Sequence, residues 1–501
     1  MKKVLFALSL MLSLTLMAQQ QPKREFRGAW IQCVNGQFIG KTPSQIRLYL
    51  GTQLDDLASA GINAIFFQVR PEGDALYKSK FEPWSRYLMG EQGVAPSDGW
   101  DPLEWMVKQC HERGMECHAW INPYRAKTKG TTELHPSHQV IKHPERVFDY
   151  AELKIFNPAL ESNRLYTCMV VEDIIRNYDV DGIHMDDYFY PYPVEGEEIP
   201  DESYFRRNPR GFSDIDDWRR DNVNLLIRNL HDMIREIKPW IKFGVSPFGI
   251  YRNSPTGENC REGSATAGLQ NYDQLYADVI LWQKEGWVDY TVPQIYWNVG
   301  TSVADYEVLC HWWNDYCNDR PLFIGQDVDR TVAGVDPNDS TRNQQCLKLD
   351  IQRSLPNVQG SCMWYAAAVA NNTGGYRDVL EEDYHRYPAL QPQMKWLDNK
   401  APKAPTRLRL VGHNGKVFLV WNAPKAKKEL DKVCQFVVYR FLRGEKVDIS
   451  DPSHIVEITP RDLDARGGTF VLDGDPYGET YIVTSLDRLG NESKGARLKI
   501  K

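Results

Sequence analysis

No CxxC pair, HxH or HExxH spacing occurs in the chain, which removes the common zinc sites from consideration. No GxGxxG follows the first apolar run, so the fingerprint of a dinucleotide-binding sheet is missing as well. Neither a metal nor an organic cofactor is expected. A basic block is also lacking, and the formal charge of -7 argues against a nucleic-acid partner. Beyond the N-terminal segment no run is apolar enough to cross a membrane. The 10 cysteines are scattered, and Cys310 and Cys317 stand seven apart on a predicted helix. That spacing is roughly 10 Å along the axis, too far for a bridge, so buried free thiols are expected in place of a disulfide framework.

The chain opens with Lys2 and Lys3, an apolar run from Val4 to Met17, and Ala18 before three glutamines. This is the pattern of a secretory signal peptide, residues 1–18. No Cys follows the run, so a lipoprotein anchor is not expected, and the mature protein is expected to be periplasmic or secreted.

Short apolar runs then alternate with amphipathic stretches of helical period, the mark of repeated βα units. Eight runs qualify: RGAWIQCV, NAIFFQVR, ECHAWINP, DGIHMDD, KFGVSPFG, DYTVPQIYW, LFIGQDV and GSCMWYA. They predict an α/β fold, a (β/α)8 barrel over residues 19–397. Long connections at 71–101, 123–158 and 189–216 all follow strands and would wall a groove at the barrel's C-terminal face. After residue 400 the period changes to two, with turn residues between short runs, which predicts a β-sandwich over 401–501. Its opening prolines, VWNAP strand and closing YIVTSLDRLGNES resemble a fibronectin type III module.

Strand phase predicts which side chains face the barrel mouth. In phase are Gln68, Arg70 and Glu72 on the second strand, and His118, Trp120, Asn122 and Tyr124 on the third. His184 and Asp186 follow on the fourth, then Ser246, then Gln294 and Tyr296, then Gln326 or Asp327, and finally Trp364 or Tyr365. Carboxylates mixed with Trp, Tyr, Asn, Gln and Arg suit a hydroxyl-rich ring. Trp120, Tyr124, Tyr188, Tyr190, Trp297 and Trp364 are expected to offer stacking faces in one groove. The reaction that needs two carboxylates and no cofactor is glycoside hydrolysis. Asp186 is expected to be the anionic partner, as nucleophile or base, and Glu72 the acid. Asp187 is expected to orient them or to exchange roles with either, and Asp327 is a fourth candidate. Arg70 and Arg125 are read either as salt-bridge partners or as groups that orient an acid substituent on the sugar.

RGAW, FFQVRPEGDALY, HAWINPYR, DGIHMDDYFYPYP, FGVSPFGIYRN and VPQIYW together resemble the bacterial glycosyl-hydrolase-like family 10. The resemblance implies a (β/α)8 glycoside hydrolase, some of whose members act on peptidoglycan glycan strands stripped of peptides. The family residues it carries over are Glu72, Asn122, Tyr124, Arg125, Asp186, Asp187, Tyr188, Ser246, Gln294, Tyr296 and Trp297. The expected partner is therefore a polysaccharide. The same residues would serve a hydrolase or lyase of another exported, dietary or host glycan, and a third reading is a non-catalytic glycan-binding scaffold.

Overall fold

The computed structural model describes residues 21–131, 133–317 and 319–501. The expected signal peptide lies outside the described residues. Eight parallel strands close into a barrel: β1 (Phe26–Ile31), β2 (Ala64–Arg70), β3 (Glu116–Ile121), β4 (Gly182–Met185), β5 (Lys242–Val245), β6 (Tyr290–Thr291), β7 (Leu322–Asp327) and β8 (Val358–Trp364). Each pairs with its neighbours in sequence, and β8 closes on β1 in the register Arg27 to Ser361. All eight predicted runs overlap a barrel strand.

Two of the early helices begin where the chain supplies caps. Thr42 and Gln45 form a reciprocal capping box for helix Pro43–Ser59, and Asp101 caps Pro102–Glu112. One predicted helix is broken in two. The stretch NYDQLYADVILWQKEG folds as Asn271–Gln274 and Val279–Lys284, because Tyr276 takes a left-handed φ of 55° and Asp278 starts a new helix by accepting from Leu281 N at 3.1 Å.

The barrel axis is filled by rings, and two glycines make the room. A Cβ on Gly182 would meet His118 Nδ1 at 2.3 Å, and one on Gly244 would meet the Tyr290 ring at 2.1 Å. Phe26, Phe66, Tyr290 and Phe323 stack in the lower barrel, and His184 lies flat on Phe66 at 3.9 Å between centroids. A polar column threads these rings. Trp30 Nε1 donates to His184 Nε2 at 3.2 Å, His184 Nδ1 is 3.2 Å from the Tyr290 hydroxyl, and that hydroxyl is 2.9 Å from His118 Nδ1. His118 Nε2 reaches Glu116 at 3.1 Å. Since Nε2 of His184 accepts from the indole, its proton belongs on Nδ1, and each later donor in the column then finds one acceptor.

Residues after 400 form two antiparallel sheets of three and four strands, whose inner side chains, Leu419 and Trp421 from one and Phe436, Val438 and Tyr481 from the other, share a core. They dock at the barrel's N-terminal end. Arg461 Nη2 lies 2.7 Å from Asp181, just before β4, and Nη1 lies 3.6 Å from Glu116, the first residue of β3. A cavity of about 360 Å³ at this junction is lined by both parts, but its Glu116 and Arg461 are paired to each other. All ten cysteines are free.

Candidate active site

At the opposite end, where the strands finish, a cavity of about 160 Å³ is lined by Trp30, Val34, Gln68, Trp120, Arg125, Asp186, Asp187, Tyr188, Ser246, Gln294, Tyr296 and Trp364. Asp186 and Asp187 are the two carboxylates among them. Both follow directly on β4, so the short strand Gly182–Met185 carries them to the rim while Ile183 and Met185 anchor it in the helix-facing core.

Asp186 is gripped from β3. Its Oδ2 accepts from Trp120 Nε1 at 2.9 Å, its Oδ1 from Asn122 Nδ2 at 3.2 Å, and the Tyr188 amide lies 3.4 Å away. Asn122 is itself fixed, because its Oδ1 accepts from the Tyr124 and Arg125 amides at 3.2 and 2.8 Å. Asn122 therefore positions Asp186 and is not among the lining residues. Asp187 accepts a hydrogen bond from the Tyr192 hydroxyl. Burial, then the neighbouring Asp187 charge, push the Asp186 carboxyl up to about 7, against the opposing pull of Arg125 and the Trp120 donor. Asp187 is also raised by burial, with Tyr192 and Arg125 pulling the other way. Both neighbouring carboxyls are thus raised above the usual carboxylate range by burial.

This arrangement corrects the expected roles. The expected low, ionised state of Asp186 is not what its surroundings favour: burial, then the Asp187 charge, outweigh the Trp120 donor, and His184 turns to Trp30, Ser246 and Tyr290 instead. Burial holds His184 well below the usual imidazole range, so it is neutral and lies under the cavity floor instead of binding substrate. Glu72 does not line the cavity. Its carboxylate is taken by Arg86 Nε at 2.9 Å, the Thr128 amide at 2.8 Å, the Thr128 hydroxyl at 2.6 Å and the Thr131 hydroxyl at 3.0 Å. Four donors on two oxygens leave it the clamp of the long β3 loop, not a free acid.

Arg70 forms a buried fork on Glu82, Nη2 to Oε1 at 2.6 Å and Nε to Oε2 at 2.9 Å, and braces the Asn122 carbonyl. It is structural. Arg125 does line the cavity, with its guanidinium 3.2 Å above the Tyr188 ring. Ser246, within 3.0 Å of His184 Nε2, and Gln294, which donates to the Ser246 carbonyl at 2.8 Å, also line it. Of the six expected stacking rings, Trp120, Tyr188 and Trp364 reach the cavity and three do not. Tyr124 and Tyr190 are buried among core residues, Tyr190 accepting from Asn222 at 3.1 Å, and Trp297 packs edge-on against Phe248 at 5.4 Å. Tyr296 lines the wall and stacks on Trp364 at 6.2 Å. Asp327 caps helix Val328–Ala333 through the Arg330 amide at 2.9 Å and is absent from the lining.

The family model described as "Glycosyl hydrolase-like 10" matches residues 25–338. The chain belongs to the glycosyl hydrolase-like 10 family. Glycosyl hydrolase YngK of Bacillus subtilis (strain 168) is 38% identical over 505 residues, covering 98% of this chain and 96% of its own. Glycosyl hydrolase DigH of Escherichia coli (strain K12) is 35% identical over 409 residues, covering 76% of this chain and 88% of its own. Among solved structures, the PgaB (BpsB) glycoside hydrolase domain from Bordetella bronchiseptica aligns with 72% of this chain and 99% of that one, at 11% identity and a TM-score of 0.46. As a member of that family the protein is a glycoside hydrolase, and Asp186 and Asp187 are the two carboxylates that line its cavity.

Two of this family member's residues escaped the phase argument. Trp30 lines the cavity from the end of β1, and its alternation with Gly28 was the available signal. Tyr192 lies beyond β4 in an irregular stretch, where no periodicity predicts that its hydroxyl returns to Asp187.

Proposed function

We propose that the protein is an exported glycoside hydrolase that cleaves an amino-sugar polymer, such as peptidoglycan glycan strands, with Asp186 and Asp187 as its acid and base chemistry. The observation that carries the reading is the carboxylate pair in a cavity walled by Trp30, Trp120, Tyr296 and Trp364, with one member pushed up to about 7. With its carboxyl pushed up to about 7, Asp186 is about half protonated at neutral pH, and that form delivers its proton to the leaving glycosidic oxygen while Asp187 is the anionic partner. Trp120 and Asn122 set the direction of that transfer by fixing both Asp186 oxygens. Arg125 offsets the charge of the pair and is the cavity's cation for an acid substituent on the sugar.

The Lys2, Lys3 and apolar opening supports export, and the strand pattern after residue 400 supports an accessory fibronectin type III-like module. Since that module meets the N-terminal end of the barrel, it is assigned to anchoring or to distant glycan contacts and not to the cleavage site. Incubating the protein with a panel of purified glycans, denuded peptidoglycan strands among them, and reading new reducing ends by mass spectrometry tests the proposal. Release of fragments from the amino-sugar polymers supports it; cleavage confined to neutral glycans overturns the substrate class.

A further inference from the structure

Resting on that reading, we propose that Gln68 selects the substrate: its side-chain amide N–H donates to the acyl carbonyl oxygen of a 2-acetamido sugar held in the cavity. Strand phase says only that Gln68 faces inward, whereas its hydrogen bonds say which end of the amide is free. The Cys33 backbone nitrogen lies 2.9 Å from Gln68 Oε1, and a backbone N–H can only donate. The atom facing it is therefore the oxygen, which fixes the orientation of the amide. The Cys33 thiol approaches the same oxygen at 3.3 Å, and burial keeps that thiol protonated, so it donates as well. Two donors fill the lone pairs of Oε1, and Nε2 is left as the free end.

Gln68 is 4% exposed and lines the cavity. Among the described residues Nε2 meets no acceptor, yet it is not sealed from solvent; the space it reaches is the cavity. Neighbouring N–H groups of the lining end on protein instead. Trp120 Nε1 donates to Asp186 at 2.9 Å, Trp30 Nε1 to His184 at 3.2 Å, and Gln294 Nε2 to the Ser246 carbonyl at 2.8 Å. Gln68 also stands in register with Trp120 across β2 and β3, one strand from the residue that holds Asp186.

The free end offers two N–H donors and no acceptor. A carbonyl oxygen only accepts, so it matches such a group. A sugar hydroxyl brings a proton of its own, which Gln68 has no open lone pair to take. Ring and glycosidic ether oxygens also only accept, but more weakly than an amide carbonyl, and a carboxylate is the partner of Arg125. The acetamido carbonyl is therefore the substrate atom that Gln68 fits. A sugar lacking it leaves the donor unpaired in a confined cavity, which is how a hydrogen-bonding site rejects an analogue.

The test compares wild type and Gln68→Met on denuded peptidoglycan strands that are N-acetylated or chemically N-deacetylated. Methionine keeps the length of the side chain and removes the donor. The change should lower kcat/KM on the acetylated strands about fivefold or more beyond its effect on the deacetylated ones, as expected for a buried carbonyl deprived of its donor. A smaller folded fraction scales both rates alike and cancels in that ratio. Gln68→Asn, which withdraws the amide by one methylene, should move the ratio in the same direction and replaces the Met variant if that protein does not fold. If wild type does not cleave the deacetylated strands, the same ratio is read from the affinities of Asp186→Asn protein, with and without Gln68→Met, for the two forms. Losses equal within about twofold on both forms, or no loss on either, overturn the inference and leave the glycosidase reading intact. Cleavage of neither form, with cleavage of a neutral glycan by the same preparation, overturns the amino-sugar reading and this inference with it.

Discussion

Replacing Trp120 by Phe removes one N–H donor from Asp186 and keeps an aromatic ring beside Trp364. The indole bond at 2.9 Å favours the ionised carboxylate, so its loss must raise the Asp186 pKa above its value of about 7. A hydrogen bond to a charged group nets about 1.5–3 kcal/mol, and one pKa unit corresponds to about 1.36 kcal/mol, giving an upward shift of about one to two units. Asn122 stays in place on the other oxygen, which favours the lower end. If Asp186 is the proton donor, its deprotonation sets the basic limb of the kcat/KM profile. Reducing-end release measured from pH 5 to 10 should show that limb displaced upward by about one unit in Trp120→Phe. An unmoved limb, or one displaced downward, would refute the assignment of the proton to Asp186.

Other consequences follow from the same contacts. The Asp186 carboxyl is raised from 3.8 to about 7, so the native state binds more protons than the unfolded chain between those values, and stability falls as pH rises through that window. Asp186→Asn should therefore raise the thermal midpoint at pH 8 and do little at pH 4; equal effects at both pH values would contradict the burial argument. Arg70→Met leaves Glu82 buried without its partner and should cost about 3–5 kcal/mol in urea unfolding. A cost below about 1 kcal/mol would mean that the pair is not dry. Arg461→Met should likewise lower the unfolding midpoint, by breaking the junction at Asp181 and Glu116, yet leave both limbs of the pH profile where they are. A displaced limb would show coupling along the His118–Tyr290–His184 column to the cavity.

The barrel was legible because its signal is repeated: eight apolar runs alternating with amphipathic stretches allow few other arrangements. Asp186 and Trp120 were legible for a related reason, since strand phase determines direction as long as the strand lasts. Phase fails one or two residues beyond the last ladder bond. Glu72 stands two residues after Arg70, in phase on paper, but the chain has already turned and delivers it to Arg86 and the Thr128 amide. Tyr124 and Tyr190 fail in the same way, both past strand ends and both turned into the core. Arg70 is in phase and still points at no ligand, because Glu82 from the following loop reaches it first. Sequence distance carries no information about such loop partners. The His184 ring shows a second limit: facing the axis and facing the cavity are different properties, and the ring is sealed beneath Trp30.

The most direct measurement compares Asp186→Asn and Glu72→Gln on one confirmed substrate. Both changes replace a carboxyl by an amide of the same size, so kcat/KM isolates the lost acid. The account predicts a loss of about 10²–10⁴-fold for Asp186→Asn and less than about tenfold for Glu72→Gln, whose carboxylate is bound by Arg86, Thr128 and Thr131. A large loss for Glu72→Gln with near wild-type turnover by Asp186→Asn would contradict it.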